Sequence, residues 1–140
     1  MSNHSLSFLR RVLVVDAASC ATMGLGMILF AAPLANLLNL PAAAISEVGL
    51  VLLPCAVLNA YLAMRSSPPR IGVWVVIALN AVWVVESFAL LFTGWVSPNA
   101  FGIAFIVGQA LVTALLAELE YVGLKLDNVG RSAAGRPDGR

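Results

Sequence analysis

All eight Lys and Arg residues of this chain lie outside its four long apolar stretches, in every second one of the segments that flank them. The four stretches cover about residues 12–32, 45–64, 71–92 and 100–117. The basic residues precede the first stretch, separate the second from the third, and follow the fourth: Arg10, Arg11, Arg65, Arg70, Lys125, Arg131, Arg136 and Arg140. The other two connections contain no basic residue. Because positively charged loops stay in the cytoplasm, the pattern predicts cytoplasmic N- and C-termini and a cytoplasmic middle loop.

The composition requires a surface that water does not cover. Of the 140 residues, 61% are hydrophobic and 11% are charged. A soluble domain of this size could not bury so much apolar surface, because much of any folded surface remains in water. Each stretch also has the length, about 20 residues, with which a helix crosses the hydrocarbon core of a bilayer. Membrane strands would alternate apolar and polar residues over about 10 positions, and these stretches do not.

The sequence therefore predicts an all-α integral membrane protein, a four-transmembrane-helix bundle whose short loops make neighbouring helices antiparallel. We assign residues 1–125 to this domain and residues 126–140, rich in Gly, Arg, Asp and Ser, to a disordered cytoplasmic tail. Residues 33–40 (PLANLLNL) are apolar and uncharged, which predicts a short interfacial helix between helices 1 and 2. The expected location is the bacterial inner (plasma) membrane, with the lipid bilayer as the main partner.

Polar residues inside the apolar stretches are the candidates for a functional site, because hydrocarbon makes each of them costly. The candidate membrane-embedded site contains Asp16, Asn59, Asn80, Glu86 and Gln109. At a rise of about 1.5 Å per residue, Asp16 lies about 8 Å inside the cytoplasmic boundary. It is either a structural carboxylate, paired with an Arg or neutral and hydrogen-bonded, or a protonatable or ion-binding site.

Estimated depths suggest how some of these residues pair. Asn80 and Gln109 both lie near the bilayer midplane, so either a hydrogen bond worth about 1 kcal/mol joins them or they line a site for a polar ligand. Glu86 and Glu47 reach a similar depth in the outer third. They either have structural roles at the lipid boundary or face each other and share a proton.

Two further acidic residues follow the fourth stretch. Glu118 and Glu120 come after the predicted end of the stretch, so we expect both at the cytoplasmic interface. Arg10, Arg11 or Lys125 could pair with them there.

The sequence contains no recognisable reaction centre. Cys20 and Cys55 do not form a Cys-x-x-Cys motif, and the single His4 lies in the N-terminal tail. Zinc, phosphate-loop and nucleophile-elbow signatures do not occur. The carboxylates and amides are too scattered for a general acid–base constellation. We therefore expect a protein that is not an enzyme, needs no cofactor or metal, and, without a basic stripe, binds no nucleic acid.

Three segments carry a resemblance: LPAAAISEVGLVLLP, PPRIGVWVVIALNAVWVVES and AELEYVGLK. They resemble small four-helix bacterial inner-membrane proteins of uncharacterised type, which implies a fold over all four stretches but no activity. Small multidrug transporters have a similar size and a membrane carboxylate in the first helix, a place that Asp16 loosely matches. Their residue is a Glu with different flanking residues. Membrane-bound glutathione enzymes need basic residues within their helices, where this chain has none.

Two functions remain open from the sequence. The first is a non-enzymatic accessory or interaction protein that packs against itself, as a homo-oligomer, or against a membrane-protein partner. It is favoured by small residues at helical spacing, such as Ala17, Ala21 and Gly24, which let membrane helices approach closely. The alternative is a small proton-coupled transporter or binder of an apolar or cationic solute, with Asp16 or Glu86 as the proton-linked group.

Overall fold

The computed structural model of the protein describes residues 3–135, which form five helices and no strand. In chain order the helices are α1 (Asn3–Leu29), α2 (Ala31–Leu38), α3 (Ala42–Met64), α4 (Arg70–Thr93) and α5 (Ala100–Ala134). Four of them, all except α2, are long and apolar enough to cross a membrane. The prediction of an all-helical chain with four long apolar helices is therefore confirmed. The short helix expected at residues 33–40 is found slightly earlier, as α2.

The long helices form two close pairs. Helix α1 packs along α3, and α4 packs along α5, while α1 also contacts α5. One core cluster joins the start of α1, the end of α3, the start of α4 and the later part of α5: Leu9, Leu13, Leu62, Ala63, Val73, Val76 and Leu124. A second cluster joins the end of α1 to the start of α3 through Met27, Ile45 and Leu52. Between these clusters lie the polar residues of the candidate site.

Helices α1 and α3 approach most closely where two glycines face each other. A β-carbon added at Gly24 would lie 2.9 Å from the carbonyl oxygen of Gly49, and one added at Gly49 would lie 2.7 Å from the carbonyl oxygen of Gly24. Both contacts are to backbone atoms, so rotation of a side chain cannot relieve them. The missing side chains therefore allow the two backbones to touch.

We expect Gly24→Ala to lower the free energy of unfolding by about 1 to 3 kcal/mol, because the added methyl group must push α1 away from α3. The matched control is Gly26→Ala on the same helix, where nothing lies within 4 Å of the added β-carbon. That variant should be neutral or slightly stabilising, since alanine favours helix over glycine. Thermal unfolding of both purified variants in one detergent measures the difference, and equal midpoints would contradict the close contact.

Two asparagines hold α2 against the start of α5. Asn99 caps α5: its Oδ1 accepts a hydrogen bond from the Gly102 amide at 2.9 Å. Its Nδ2 donates to the Leu37 carbonyl at 2.8 Å. Asn39 ends α2 in the left-handed region at φ 54° and donates to the Ser97 carbonyl at 2.6 Å. The connection between α4 and α5 is thereby tied to α2.

Helix α5 is longer than the sequence suggested. We predicted the end of the fourth apolar stretch at residue 117 and disorder from residue 126, whereas α5 continues to Ala134. Tertiary contacts account for the difference: Leu124 is buried in the first core cluster, and Arg131 donates to Ser67 Oγ at 2.7 Å. Within the helix, the buried Asp127 also pairs with Arg131 at 3.0 Å. The part of the predicted tail beyond residue 135 lies outside the described residues. Helix α1 also starts earlier than predicted, at Asn3.

Candidate functional site

Asp16 lies at the centre of a polar cluster buried between the long helices. The residue is only 2% exposed. Its Oδ2 accepts hydrogen bonds from Asn59 Nδ2 at 2.8 Å and from Asn80 Nδ2 at 3.2 Å. Its Oδ1 accepts a bond from Cys20 Sγ at 3.5 Å. Three of the predicted site residues, one each from α1, α3 and α4, are thus in contact.

Glu120 completes the cluster from α5. Its Oε2 accepts a hydrogen bond from Asn80 Nδ2 at 3.2 Å, so a single amide nitrogen bridges two carboxyl groups. The Asp16 and Glu120 carboxyl groups therefore lie close together, since each has an oxygen atom 3.2 Å from the same nitrogen. Glu120 was expected at the cytoplasmic interface, where a basic residue could pair with it, whereas its side chain is 0% exposed and buried between the helices. Its neighbour Glu118 is exposed, because residues two positions apart do not share a helix face.

The cluster contains more hydrogen-bond acceptors than donors. Within residues 3–135, the buried side-chain atoms without a hydrogen-bond partner are Asn59 Oδ1 and Glu120 Oε1. Both are oxygen atoms that accept hydrogen bonds. Buried polar atoms are nearly always satisfied in folded proteins, so this cluster is incomplete without a further donor or a positive charge.

Arg10, one of the basic residues that could pair with these carboxylates, is bonded elsewhere. Arg10 Nε donates to the carbonyl oxygen of Ala63 at 2.8 Å, at the C-terminal end of α3. This contact satisfies a helix-terminal carbonyl that has no partner within the helix. Across the described residues, the only Lys or Arg side chain in an ion pair is Arg131, which binds Asp127. The expected Arg partner for Asp16 is therefore not found there.

Gln109 belongs to a second polar group, which it forms with Trp83 and Ser87 and which is separate from the Asp16 cluster. Trp83 Nε1 donates to Gln109 Oε1 at 2.5 Å, and Gln109 Nε2 donates to Ser87 Oγ at 2.9 Å. The Ser87 hydroxyl in turn donates to the Trp83 carbonyl at 2.7 Å. The predicted hydrogen bond between Asn80 and Gln109 is wrong, because Asn80 turns toward the two carboxyl groups. A polar contact between α4 and α5 does exist, but Gln109 makes it with Trp83 and Ser87 and not with Asn80.

A cavity of about 1000 Å³ lies beside the Asp16 cluster. Its wall is mostly apolar and includes Met23, Trp83 and Phe105. Its few polar lining groups include Asp16, Asn80 and Gln109. Lining residues come from all five helices, so the cavity is a property of the whole fold.

A second cavity of about 480 Å³ lies next to the first. Glu47 and Glu86, both exposed, line it. Glu86, the fifth predicted site residue, is thus placed away from the Asp16 cluster. The residues that line both cavities are Met23, Met27, Trp83, Phe105 and Gln109. The hydrogen bond between Trp83 and Gln109 therefore lies on the border between the two spaces.

The arrangement has the chemistry of a binding site. Carboxyl oxygens attract positive charge, amide groups fix their orientation, and apolar walls accept hydrocarbon. No family model matches the chain, nor does any curated protein or solved structure. The function is therefore inferred from the chemistry of the cluster and its cavity.

Proposed function

We propose that this chain is a multi-pass membrane protein that binds an apolar cationic solute between its helices and moves it across the membrane in exchange for protons. One observation carries the proposal: a buried carboxylate, Asp16, lies on the wall of an apolar cavity of about 1000 Å³. Cavities that hold drug-sized molecules have volumes of about 300 to 1000 Å³ and combine apolar walls with few polar groups. A function of this kind involves binding and transport rather than catalysis.

Insertion in a membrane is supported by the side chains that the fold leaves uncovered. Large apolar residues on the long helices are highly exposed, among them Leu29 at 73%, Ile71 at 80% and Phe92 at 87%. Such surfaces are unusual for a soluble monomer and are expected where lipid covers the protein. The first core cluster, which combines helix starts with helix ends, supports an antiparallel order of the long helices. The distribution of Lys and Arg supports cytoplasmic termini, and we propose the bacterial inner membrane as the location.

The lining of the cavity indicates the chemistry of the solute. A positive group would replace the charge that the Asp16 cluster lacks, since a buried carboxylate is stable only when it is paired. The faces of Trp83 and Phe105 also attract cations, an interaction worth about 0.5 to 2 kcal/mol. The remaining apolar wall fits the hydrocarbon or aromatic body of the same molecule.

The accessory role that the sequence favoured remains a separate hypothesis. It involves packing against a second copy or another membrane protein, for which Gly24 would provide a close-contact surface. In the structure this glycine faces Gly49 within the same chain, so its absent side chain is used in internal packing. The cavity and carboxyl cluster have no role in such a function, and we therefore favour solute binding.

Tetraphenylphosphonium, a rigid lipophilic cation, provides a direct test. We expect the purified protein in detergent to bind it saturably, with one molecule per chain, because its charge can lie beside Asp16 and its rings against the apolar wall. Equilibrium dialysis with labelled compound measures the binding. The control is triphenylphosphine oxide, a neutral molecule of similar shape, which should not compete. Uptake that does not saturate, or that equals partitioning into empty micelles, would argue against the proposed function.

A further inference from the structure

The hydrogen bonds around the two carboxyl groups are distributed unequally. Asp16 receives three: from Asn59, from Asn80 and from Cys20. Glu120 receives one, from the same Asn80 nitrogen that binds Asp16, and its Oε1 has no partner. The donors therefore favour a negative charge on Asp16, while Glu120 lacks the donors that would stabilise a second one.

Two negative charges at such close range are unstable inside a protein. Like charges repel strongly where the surroundings are poorly polarisable, and buried carboxyl pairs commonly share one proton. A protonated Glu120 would become the missing donor and could donate to Asp16, whose carboxyl group shares the Asn80 nitrogen with it. A shared metal ion is less suited to this place, because within residues 3–135 no three His, Cys, Asp or Glu side chains are grouped to hold one.

The two carboxyl groups also differ in their access to the cavity. Asp16 and Asn80 belong to the lining of the large cavity, whereas Glu120 does not. A solute in the cavity would thus meet Asp16 directly, with Glu120 behind it. Glu120 would act on the solute through Asp16, as a positioning residue.

We propose that Asp16 and Glu120 form one exchange site, which holds a proton when the solute is absent and releases it when the solute's positive group binds. This inference rests on the proposed function. The positive group favours the ionised form of a nearby carboxyl group. The O–H bond of Glu120 then breaks, its electron pair stays on the carboxylate, and the proton passes to water. One positive charge leaves the site as another enters, with no oxidation or reduction.

Few other titratable groups face this pair. Cys20 on α1 and Cys55 on α3 are close enough to interact electrostatically with Asp16. Helix α4 presents the uncharged Asn80, and Glu118 on α5 is exposed on the opposite side of its helix. A Cys20→Ala/Cys55→Ala variant therefore separates the contribution of the thiols from that of the carboxyl pair.

The first experiment needs no solute. Infrared spectra of the detergent-solubilised wild type and of Glu120→Gln are recorded at neutral pH and subtracted. The difference should contain the C=O stretching band of a protonated carboxylic acid, present in the wild type and absent from the variant. The band should also disappear when tetraphenylphosphonium binds. Absence of the acid band from the wild-type spectrum would overturn the proposal, whatever the protein binds.

The second experiment follows binding of tetraphenylphosphonium as a function of pH. If binding of the cation releases one proton, the affinity of the wild type should rise about tenfold for each unit by which the pH increases, as long as the free site is protonated. The reason is that protons compete with the cation. Glu120→Gln should still bind through Asp16, but with an affinity that no longer depends on pH. The double cysteine variant should keep the wild-type slope, whatever its absolute affinity.

The outcomes separate the two proposals. Saturable binding with an unchanged acid band and no pH slope overturns the exchange, and the proton coupling with it, but leaves intact the binding of an apolar cation on which the proposed function rests. No saturable binding at any pH overturns the proposed function, and the exchange with it. A pH slope that persists in Glu120→Gln but is lost in the double cysteine variant overturns the assignment of the proton to the carboxyl pair.

Discussion

Asn80→Leu is expected to lower the free energy of unfolding by about 3 kcal/mol, which would be a large effect for one uncharged side chain. The Nδ2 atom of Asn80 donates to Asp16 and to Glu120 at 3.2 Å each. Leucine has a similar size but no donor, so both buried carboxyl groups would lose their common partner. Hydrogen bonds to charged groups contribute about 1.5 to 3 kcal/mol each, and a buried group left unsatisfied adds its own penalty.

The control for this variant is Gln109→Leu, which makes the same exchange of amide for leucine on the neighbouring helix. Gln109 bonds two neutral groups, Trp83 and Ser87, in a partly buried place. Hydrogen bonds between membrane helices average about 0.6 kcal/mol, so we expect a loss of about 1 kcal/mol. Unfolding of both variants in mixed micelles gives the comparison. If Asn80→Leu proved no more destabilising than Gln109→Leu, the bridging role of Asn80 would be refuted.

The helices could be predicted from sequence because their signal is long and repeated. Each long helix contains an uninterrupted apolar stretch of roughly the length that crosses a bilayer. The short α2 was also predictable, since residues 33–40 are apolar between two prolines. The ends were less predictable: α1 begins at Asn3 and α5 extends to Ala134, and residues near these ends make tertiary contacts, Leu9 in the first core cluster and Arg131 with Ser67. Such contacts depend on the partner helices, which a local pattern does not contain.

The candidate site was predicted in part. Depth, estimated from the distance to the nearest Arg, placed Asp16 near the cytoplasmic boundary and Asn80 near the midplane, yet the two side chains are hydrogen-bonded. The estimate assumes that every helix starts at the same level. In the structure Leu9, which precedes Arg10, packs in the same core cluster as Val73, which follows Arg70, so the arginines of α1 and α4 lie at different levels. Asn80 was consequently paired with Gln109 instead of Asp16.

Glu120 was missed although the sequence contained a signal for it. The buried residues of α5 recur every three or four positions at its end: Leu116, Glu120, Gly123, Leu124 and Asp127. This periodicity continues past residue 117 without a break. The prediction ended the fourth apolar stretch at residue 117 and therefore placed both acidic residues beyond it. Following the helix face instead would have kept Glu120 inside and Glu118 outside.

Asp16→Asn is expected to weaken binding of tetraphenylphosphonium about 30-fold, equivalent to about 2 kcal/mol, because it removes the negative charge that meets the cation at the wall of the large cavity. The substitution keeps the size of the side chain, and its Oδ1 can still accept hydrogen bonds from Asn59 and Asn80. Its new amide can also donate to Glu120, so folding should be retained. Dialysis at fixed pH, with thermal unfolding of the same samples, separates lost affinity from lost structure.

Glu86→Gln provides the matched comparison, since it removes a carboxylate from the wall of the neighbouring cavity and keeps the side chain's size. Because Glu86 lines only the smaller cavity and lies outside the Asp16 cluster, we expect the affinity to change by less than about fivefold. Equal losses in the two variants would indicate that the cation binds across both cavities. A large loss in Glu86→Gln alone would place the solute in the smaller cavity. Binding that survives both substitutions, singly and together, would remove the carboxylates from the function altogether.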